Sequence, residues 1–449
     1  MVTSGIVISG ARLEGIRARL KQGQLNALRE LLPDRIIDGA CRAAGHAYRD
    51  RLLPPLVMVF HYLAAALWPE DSFNAAAQSG GIPASTGSLS KARRRLPRAV
   101  MDRLDHYTCD LAQAFSEDTA RLHGFRLVTL DGTCVSMPDV PALRAAFGAA
   151  NSKHGRGKYP EARLVVAVLS KTGAVLAHRM GPYRTSEQTL GLELLPALGP
   201  GDLLLADAHF AGSNLYFRYR ERGADFITPS HQRLKVDRLR RICEYPDGSF
   251  VALVPIWKSH RRKYPFLPET MILRFVPVRL SSRRGRPMTW LVTSLLDGRR
   301  YPAELIRELY RNRWPVETAI GEVKHPLSAD VLRSKTVDGA YKEITAKVMA
   351  FNLVRCVMLK AAPRRECRPD RLSFSNARRL VVAYSLRMSA APIGTLRALY
   401  DEMLDAIARV EVPYRPGRVE PRAVRRERKH YERLKISRRA WRLKQASVA

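Results

Sequence analysis

The chain has 449 residues, 46% of them apolar, which is enough for several domains and a sizeable core and excludes a disordered polymer. Lys and Arg number 76 against 42 Asp and Glu, a formal charge of +34, so the expected partner is a polyanion, nucleic acid before an anionic membrane surface. The six cysteines, at 41, 109, 134, 243, 356 and 367, are scattered with no Cys-x-x-Cys pair; this argues against a zinc site or disulfide framework and for reduced thiols in a cytoplasm.

Residues 1–120 read as a helical region. The N-terminal Met-Val-Thr-Ser-Gly is not a basic segment followed by an apolar one, so no signal peptide is evident. Leu13–Leu32 carries apolar residues at helical spacing among many arginines. Leu52–Trp68 is the most apolar stretch, but it falls short of the roughly 20 residues a membrane span needs, and Pro54, Pro55 and His61 interrupt it; it reads as a buried helix. After Gly80-Gly81-Ile82-Pro83, Ser85 and Ser88 are positioned to cap a short Arg-rich helix through Leu96, which is either a helix-turn-helix reader of DNA or a basic surface helix.

From Phe125 the pattern becomes α/β. Arg126–Asp131 predicts a strand ending in an acid, and Arg163–Leu169 and Ala174–His178 predict a hairpin about Lys171-Thr172-Gly173. Glu187–Leu198 predicts a helix, Asp202–Ala206 a buried strand, Asn214–Arg222 a helix and Ala224–Thr228 a strand. That order, three strands and then strands added through helices, is the order of a ribonuclease H-like fold. Ligands of open α/β sheets gather at the carboxyl ends of strands, where Asp131 and Asp207 are expected. Residues 229–300 read as a β-rich insertion, with strands at Phe250–Trp257, Met271–Leu280 and Thr289–Leu295 and basic loops at Arg261–Lys263 and Arg283–Arg284. Helix resumes at Pro302–Arg311 and continues at 340–361 and 373–409. The tail from 411 to 449 holds 13 Lys and Arg against 4 acids and suits a phosphate backbone. The expected division is 1–120 helical and DNA-binding, 121–228 the first part of the core, 229–300 the insertion, 301–361 the second part of the core, and 362–449 helical with a basic tail.

Tyr310, Arg313, Glu317 and Lys324, spaced 3, 4 and 7 apart, fall within one helical stripe. Pro315 splits that stripe, because a proline belongs in the first turn of a helix, so Tyr310 and Arg313 are expected on a preceding turn. Each acid has a plain structural reading: Asp131 a turn cap before Gly132, Asp207 an N-cap, Glu317 part of a charged face. Brought together, three carboxylates repel one another unless cations intervene, and carboxylate oxygen suits Mg²⁺ or Mn²⁺. Two such ions about 4 Å apart activate an attacking oxygen and stabilise the leaving one at a phosphodiester.

The Tyr-x2-Arg-x3-Glu-x6-Lys pattern, with Leu130-Asp131-Gly132-Thr133 and Leu205-Ala206-Asp207-Ala208-His209-Phe210, resembles the DDE transposases of bacterial insertion sequences, specifically the insertion-sequence-4 family. The spacings, 76 from Asp131 to Asp207 and 110 from Asp207 to Glu317, leave room for the β insertion of that family. The resemblance implies that Asp131, Asp207 and Glu317 form a metal-binding catalytic triad. It implies that Tyr310 and Arg313 contact a terminal phosphate of the element end, and Lys324 the DNA near the cleavage point. It also implies two Mg²⁺ (or Mn²⁺) ions per site, double-stranded DNA as partner and a dimer in a synaptic complex. A ribonuclease H-like nuclease or resolvase, and a catalytically inactive transposase-derived DNA-binding protein, are the competing readings. Glu322 and Glu343 are expected to be solvated and His209 structural. Trp257 and Trp290 are expected to pack in the core, with base stacking as the alternative. Lys153, His154, Arg156 and Lys158 form a basic loop that either grips DNA or is solvated.

Overall fold

The computed structural model describes residues 25–413, apart from 50, 71, 80, 118, 153–154, 157–158, 232, 280–288, 314 and 325, together with 440. Residues 13–24 of the first expected helix, Lys153, His154, Lys158, the Arg283–Arg284 cluster, Trp314 and nearly all of the basic tail lie outside the described residues.

The chain begins with helices α1 (Asn26–Arg29), α2 (Asp34–Ala43), α3 (Pro55–Leu67), α4 (Phe73–Ser79), α5 (Thr86–Arg95) and α6 (Arg98–Ser116). Pro55 opens α3, where a missing N–H costs nothing. Ser85 caps α5 by accepting the Ser88 N–H at 3.2 Å. α3 is buried on nearly every side, as its unbroken apolar run requires. It carries His61, fully buried against the Phe73 ring at 4.1 Å between centroids.

Burial pushes the His61 imidazole down to about 4; the Phe73 backbone offsets part of that and Arg93 adds to it. The unfolded chain therefore takes up this proton near pH 6.5 while the folded chain resists until about 4. Stability should fall by about 3 kcal/mol as pH drops through that window. In urea titrations across this range, His61→Phe should flatten that part of the pH dependence.

A sheet of ten strands runs through the described residues in the order β6-β5-β2-β7-β8-β12-β11-β10-β9, with β1 (Arg121–Leu122) beside β2 (Phe125–Ser136). β5 (Glu161–Leu169) and β6 (Val175–Pro182) are antiparallel neighbours of β2. β7 (Asp202–Ala206) and β8 (Asp225–Pro229) add in parallel on its other side, through α8 (Glu187–Leu192) and α9 (Ser213–Glu221). Between β2 and β5 lie α7 (Pro141–Phe147) and the two-residue strands β3 (Asn151–Ser152) and β4 (Gly155–Arg156). β9 (Arg240–Glu244), β10 (Phe250–Pro255), β11 (Thr270–Val278) and β12 (Thr289–Thr293) form an antiparallel meander, and β12 pairs with β8. These four strands thus lengthen the same sheet.

Three local expectations change. β2 does not stop at Asp131: its pairing with β5 continues to Ser136 opposite Glu161, and only its parallel pairing with β7 ends, at Leu130 opposite Ala206. Asp131 is therefore mid-strand, at the point where its neighbour leaves. Arg261–Lys263 is not loop but part of a short helix, α10 (Lys258–Lys263). The helix expected over 187–198 ends at Leu192, and Pro196, which has no N–H to give, sits in a following 3-10 turn. β9 escaped sequence reading because all five of its residues are exposed on a sheet edge, so no apolar alternation marks it.

Beyond the meander come α11 (Ala303–Arg311), α12 (Pro315–Lys324), α13 (Val337–Ala361), α14 (Phe374–Ala390) and α15 (Leu396–Ala408). Leu127, Leu203, Leu205 and Ile227 share a face of the sheet and bury against Ala303, Ile306 and Leu309 of α11. The alternate residues Val128, Leu130, Leu204 and Phe226 join the larger core, as the two-residue period of a strand demands. α13 runs through that core, packing on α3 and α6. No helix among the described residues is long and apolar enough to cross a membrane.

Candidate active site

Asp131 and Thr133 have the same strand parity as Leu127, so they lie on the sheet face covered by α11 and α12. Asp207 follows the last residue of β7 with the parity of Leu203 and Leu205. Glu317 is in the first turn of α12, which starts at Pro315; Arg313 lies with Asn312 on the turn before it, whereas Tyr310, expected on that turn too, is in the last turn of α11. Period-two and period-3.6 patterning thus deliver the three acids to one sheet edge from three separate elements.

Each carboxylate is held by its own chain. Asp131 accepts the Gly132 N–H at 2.8 Å, Asp207 accepts the His209 N–H at 2.8 Å, and Glu317 accepts the Arg313 guanidinium at 3.0 Å. Burial pushes the Asp131 carboxyl up to about 6; the Gly132 N–H and Arg313 oppose the shift, while the negative charges of Asp207 and Glu317 add to it. Among the described residues, no three His, Cys, Asp or Glu side chains stand together as a preformed ion cage. Hard oxygen donors, two of whose charges raise the proton affinity of Asp131, nonetheless match a divalent cation, which would relieve the repulsion Asp131 feels.

The cations of the stripe converge on the same face. Arg313 is largely buried; burial alone would lower its guanidinium, but Tyr310, Glu317 and Asp131 outweigh that and hold it above its ordinary value. Lys324 donates to Thr133 Oγ1 at 2.7 Å, two residues beyond Asp131. Tyr310 is 8% exposed, and its hydroxyl donates to the Ala206 carbonyl at 3.3 Å, immediately before Asp207. Burial pushes that phenol up to about 12; Arg313 opposes and Asp207 adds to the shift. Tyr310→Phe removes this buried hydrogen bond and should cost about 1 kcal/mol, read from the urea midpoint at unchanged m.

Gly132 has a packing reason. A Cβ there would stand 2.5 Å from the Glu187 side chain, which Arg163 holds at 2.5 Å on the opposite face. Glu322 corrects its sequence reading: it is not solvated but paired with Arg355 of α13, whose side chain is 6% exposed. An arginine inside the apolar run of α13 was the available signal, since a buried cation needs a partner. Glu343 accepts the backbone N–H groups of Arg333 and Ser334 at 2.9 Å, also a structural task. The His209 backbone serves Asp207 while its side chain is exposed. Trp290 packs edge-on to Phe250, whereas Trp257, expected in the core, is 64% exposed ahead of α10.

A family model described as a transposase DDE domain matches residues 123–353, which span all three acids and the stripe. The transposase InsG for insertion sequence element IS4 of Escherichia coli (strain K12) is 25% identical over 416 residues, covering 89% of this chain and 92% of its own. A putative transposase InsZ of the same organism is 28% identical over 141 residues, covering 31% of this chain and 46% of its own. A solved structure of the piggyBac transposase synaptic complex with hairpin DNA aligns over 88% of this chain and 87% of its own, at 11% identity and a TM-score of 0.44.

Proposed function

The chain belongs to the family of transposase DDE domains, and from that premise we propose that it binds the ends of an insertion sequence, cleaves them and joins their 3′ ends to target DNA. The observation that carries this reading is the convergence of Asp131, Asp207 and Glu317 with Arg313 and Lys324 at one sheet edge. We read the order β6-β5-β2-β7-β8 as a ribonuclease H-like core, residues 229–300 as its insertion, and residues 1–120 and 362–449 as its helical flanks.

The family implies dependence on a divalent metal. Asp131, Asp207 and Glu317 would hold it, as two Mg²⁺ or Mn²⁺ ions, whose chemistry is to sharpen an attacking oxygen and stabilise the leaving one. The chain's own residues do the rest. Arg313 presents a fork that matches a phosphate oxygen pair, and Glu317 and Tyr310 fix its orientation. Lys324, steadied by Thr133, offers a point charge on the other side of Asp131. Tyr310 holds the backbone ahead of Asp207, and its expected contact with a terminal phosphate would have to be made from this buried position. In the first step water adds to phosphorus and the bond to O3′ breaks, releasing a 3′ hydroxyl. In the second that hydroxyl attacks a target phosphodiester and displaces a new 3′ hydroxyl. Two ends must be held at once for paired joining, which calls for a dimer on DNA, acting where DNA is, in the cytoplasm.

The test uses the purified chain, Mg²⁺ and duplexes made from the DNA flanking its coding sequence. Cleavage with joined products supports the proposal. Cleavage without joining would mean a nuclease or resolvase, and binding without either would mean an inactive DNA-binding derivative.

A further inference from the structure

A second feature suited to a polyanion lies among the N-terminal helices. A cleft of about 340 Å³ opens between the segment leading into α3 and the last turn of α5. Arg49, Arg51 and Arg95 line it together with His46 and Tyr48, and among the described residues no Asp or Glu does. All three arginines are exposed. Elsewhere many guanidiniums are matched to carboxylates, as in Arg126–Asp202 and Arg163–Glu187, but among the described residues none of these three forms such a pair. Three like charges around one cleft repel each other and raise the local potential, which an anion lowers.

The cleft is also built to hold a shape. The His46 and Tyr48 rings stack at 5.9 Å, and the Tyr48 hydroxyl is fixed on Asp38 at 2.9 Å, leaving the ring 42% exposed. Pro54, Pro55 and Met58 add apolar wall. α5 cannot shift freely: Leu89 and Ala92 are buried, and the Lys342 ammonium donates at 2.8 Å to both the Arg93 and Leu96 carbonyls, closing the end of the helix that carries Arg95. The volume lies at the small end of ligand clefts, near one nucleotide unit. An apolar, aromatic wall beside exposed guanidiniums is the chemistry of a sugar and base face next to a phosphate.

We propose that this cleft seats one nucleotide unit of bound DNA, its phosphate on Arg49, Arg51 and Arg95 and its sugar and base face along Tyr48 and His46. The inference rests on the DNA-processing function proposed above. It adds an anchoring site that shares no lining residue with the catalytic edge.

The test is a triple variant of the full chain, Arg49→Gln with Arg51→Gln and Arg95→Gln, whose exposed side chains can be changed without opening the core. Affinity for the flanking-DNA duplex is measured by fluorescence anisotropy in EDTA across a salt series. The expected result is a loss of about tenfold or more in affinity, with a salt slope shallower by about 1, since each phosphate no longer neutralised removes close to one unit. An unchanged affinity and slope would overturn the proposal. So would an equal loss from a control triple of exposed arginines elsewhere, Arg365→Gln with Arg379→Gln and Arg397→Gln, which makes net charge the cause. Tyr48→Ala should weaken binding with no change in salt slope; full affinity in that variant would remove the sugar and base part. Wild-type protein that neither binds nor cleaves the duplex would instead sink the DNA-processing function itself.

Discussion

Asp131→Asn should abolish DNA cleavage, by about 10³-fold or more, and at the same time make the metal-free protein more stable at neutral pH. The two effects have one cause. Asp131 is half-buried beside Asp207 and Glu317, and its carboxyl is pushed up to about 6, first by burial and then by those neighbours. An acid whose folded pKa exceeds its unfolded value costs stability once pH rises through the unfolded value of 3.8, and the full cost is present above about 6. The amide never charges, so that cost vanishes; discounted for partial exposure, the gain is about 1–2 kcal/mol at pH 7. Urea denaturation in EDTA measures it, and the gain should shrink as pH falls from 6 toward 4. DNA affinity should persist, since Arg313 and Lys324 remain. A residue kept only for packing would show the opposite pattern: activity retained and stability lost.

The second large effect is expected on the other side of α12. Arg355→Ala should destabilise the fold by about 3–5 kcal/mol, because it strands the Glu322 carboxylate in the interior. Burial already pushes Glu322 above the usual carboxylate range, and the Arg355 guanidinium is what pulls it back. Arg355 also passes close beneath Gly173, whose φ of +72° makes the turn between β5 and β6; a Cβ there would approach the guanidinium to 3.0 Å. Adding Glu322→Gln to Arg355→Ala should recover about half of the loss, since a neutral amide costs far less to bury than an ion. Melting temperatures of the single and double variants check this; additive losses would mean the two side chains act independently.

The core strands were legible because they follow simple periods. Leu203 and Leu205 against Leu204 and Ala206 report two faces of one strand, and the same parity places Asp131, Thr133 and Asp207 on the α12 face. The break at Pro315 was legible from the missing N–H. What escaped the sequence depends on partners distant in the chain. The continuation of β2 past Asp131 is dictated by β5, which keeps pairing with it after β7 has ended. Glu322 looks solvated until Arg355, 33 residues on, is brought beneath it. The buried place of Tyr310 depends on the Ala206 carbonyl, 104 residues earlier. Trp257 reads as core by composition, yet it sits exposed where β10 ends and α10 begins.

In the proposed function Asp131 acts as a metal ligand in phosphoryl transfer together with Asp207 and Glu317. Asp131→Cys tests it most directly, because sulfur is a poor ligand for Mg²⁺ and a better one for the softer Mn²⁺. End-DNA cleavage by this variant should be lost with Mg²⁺ and partly restored with Mn²⁺, while wild type works with both. Equal activity with the two ions, at the wild-type level or at none, would contradict it.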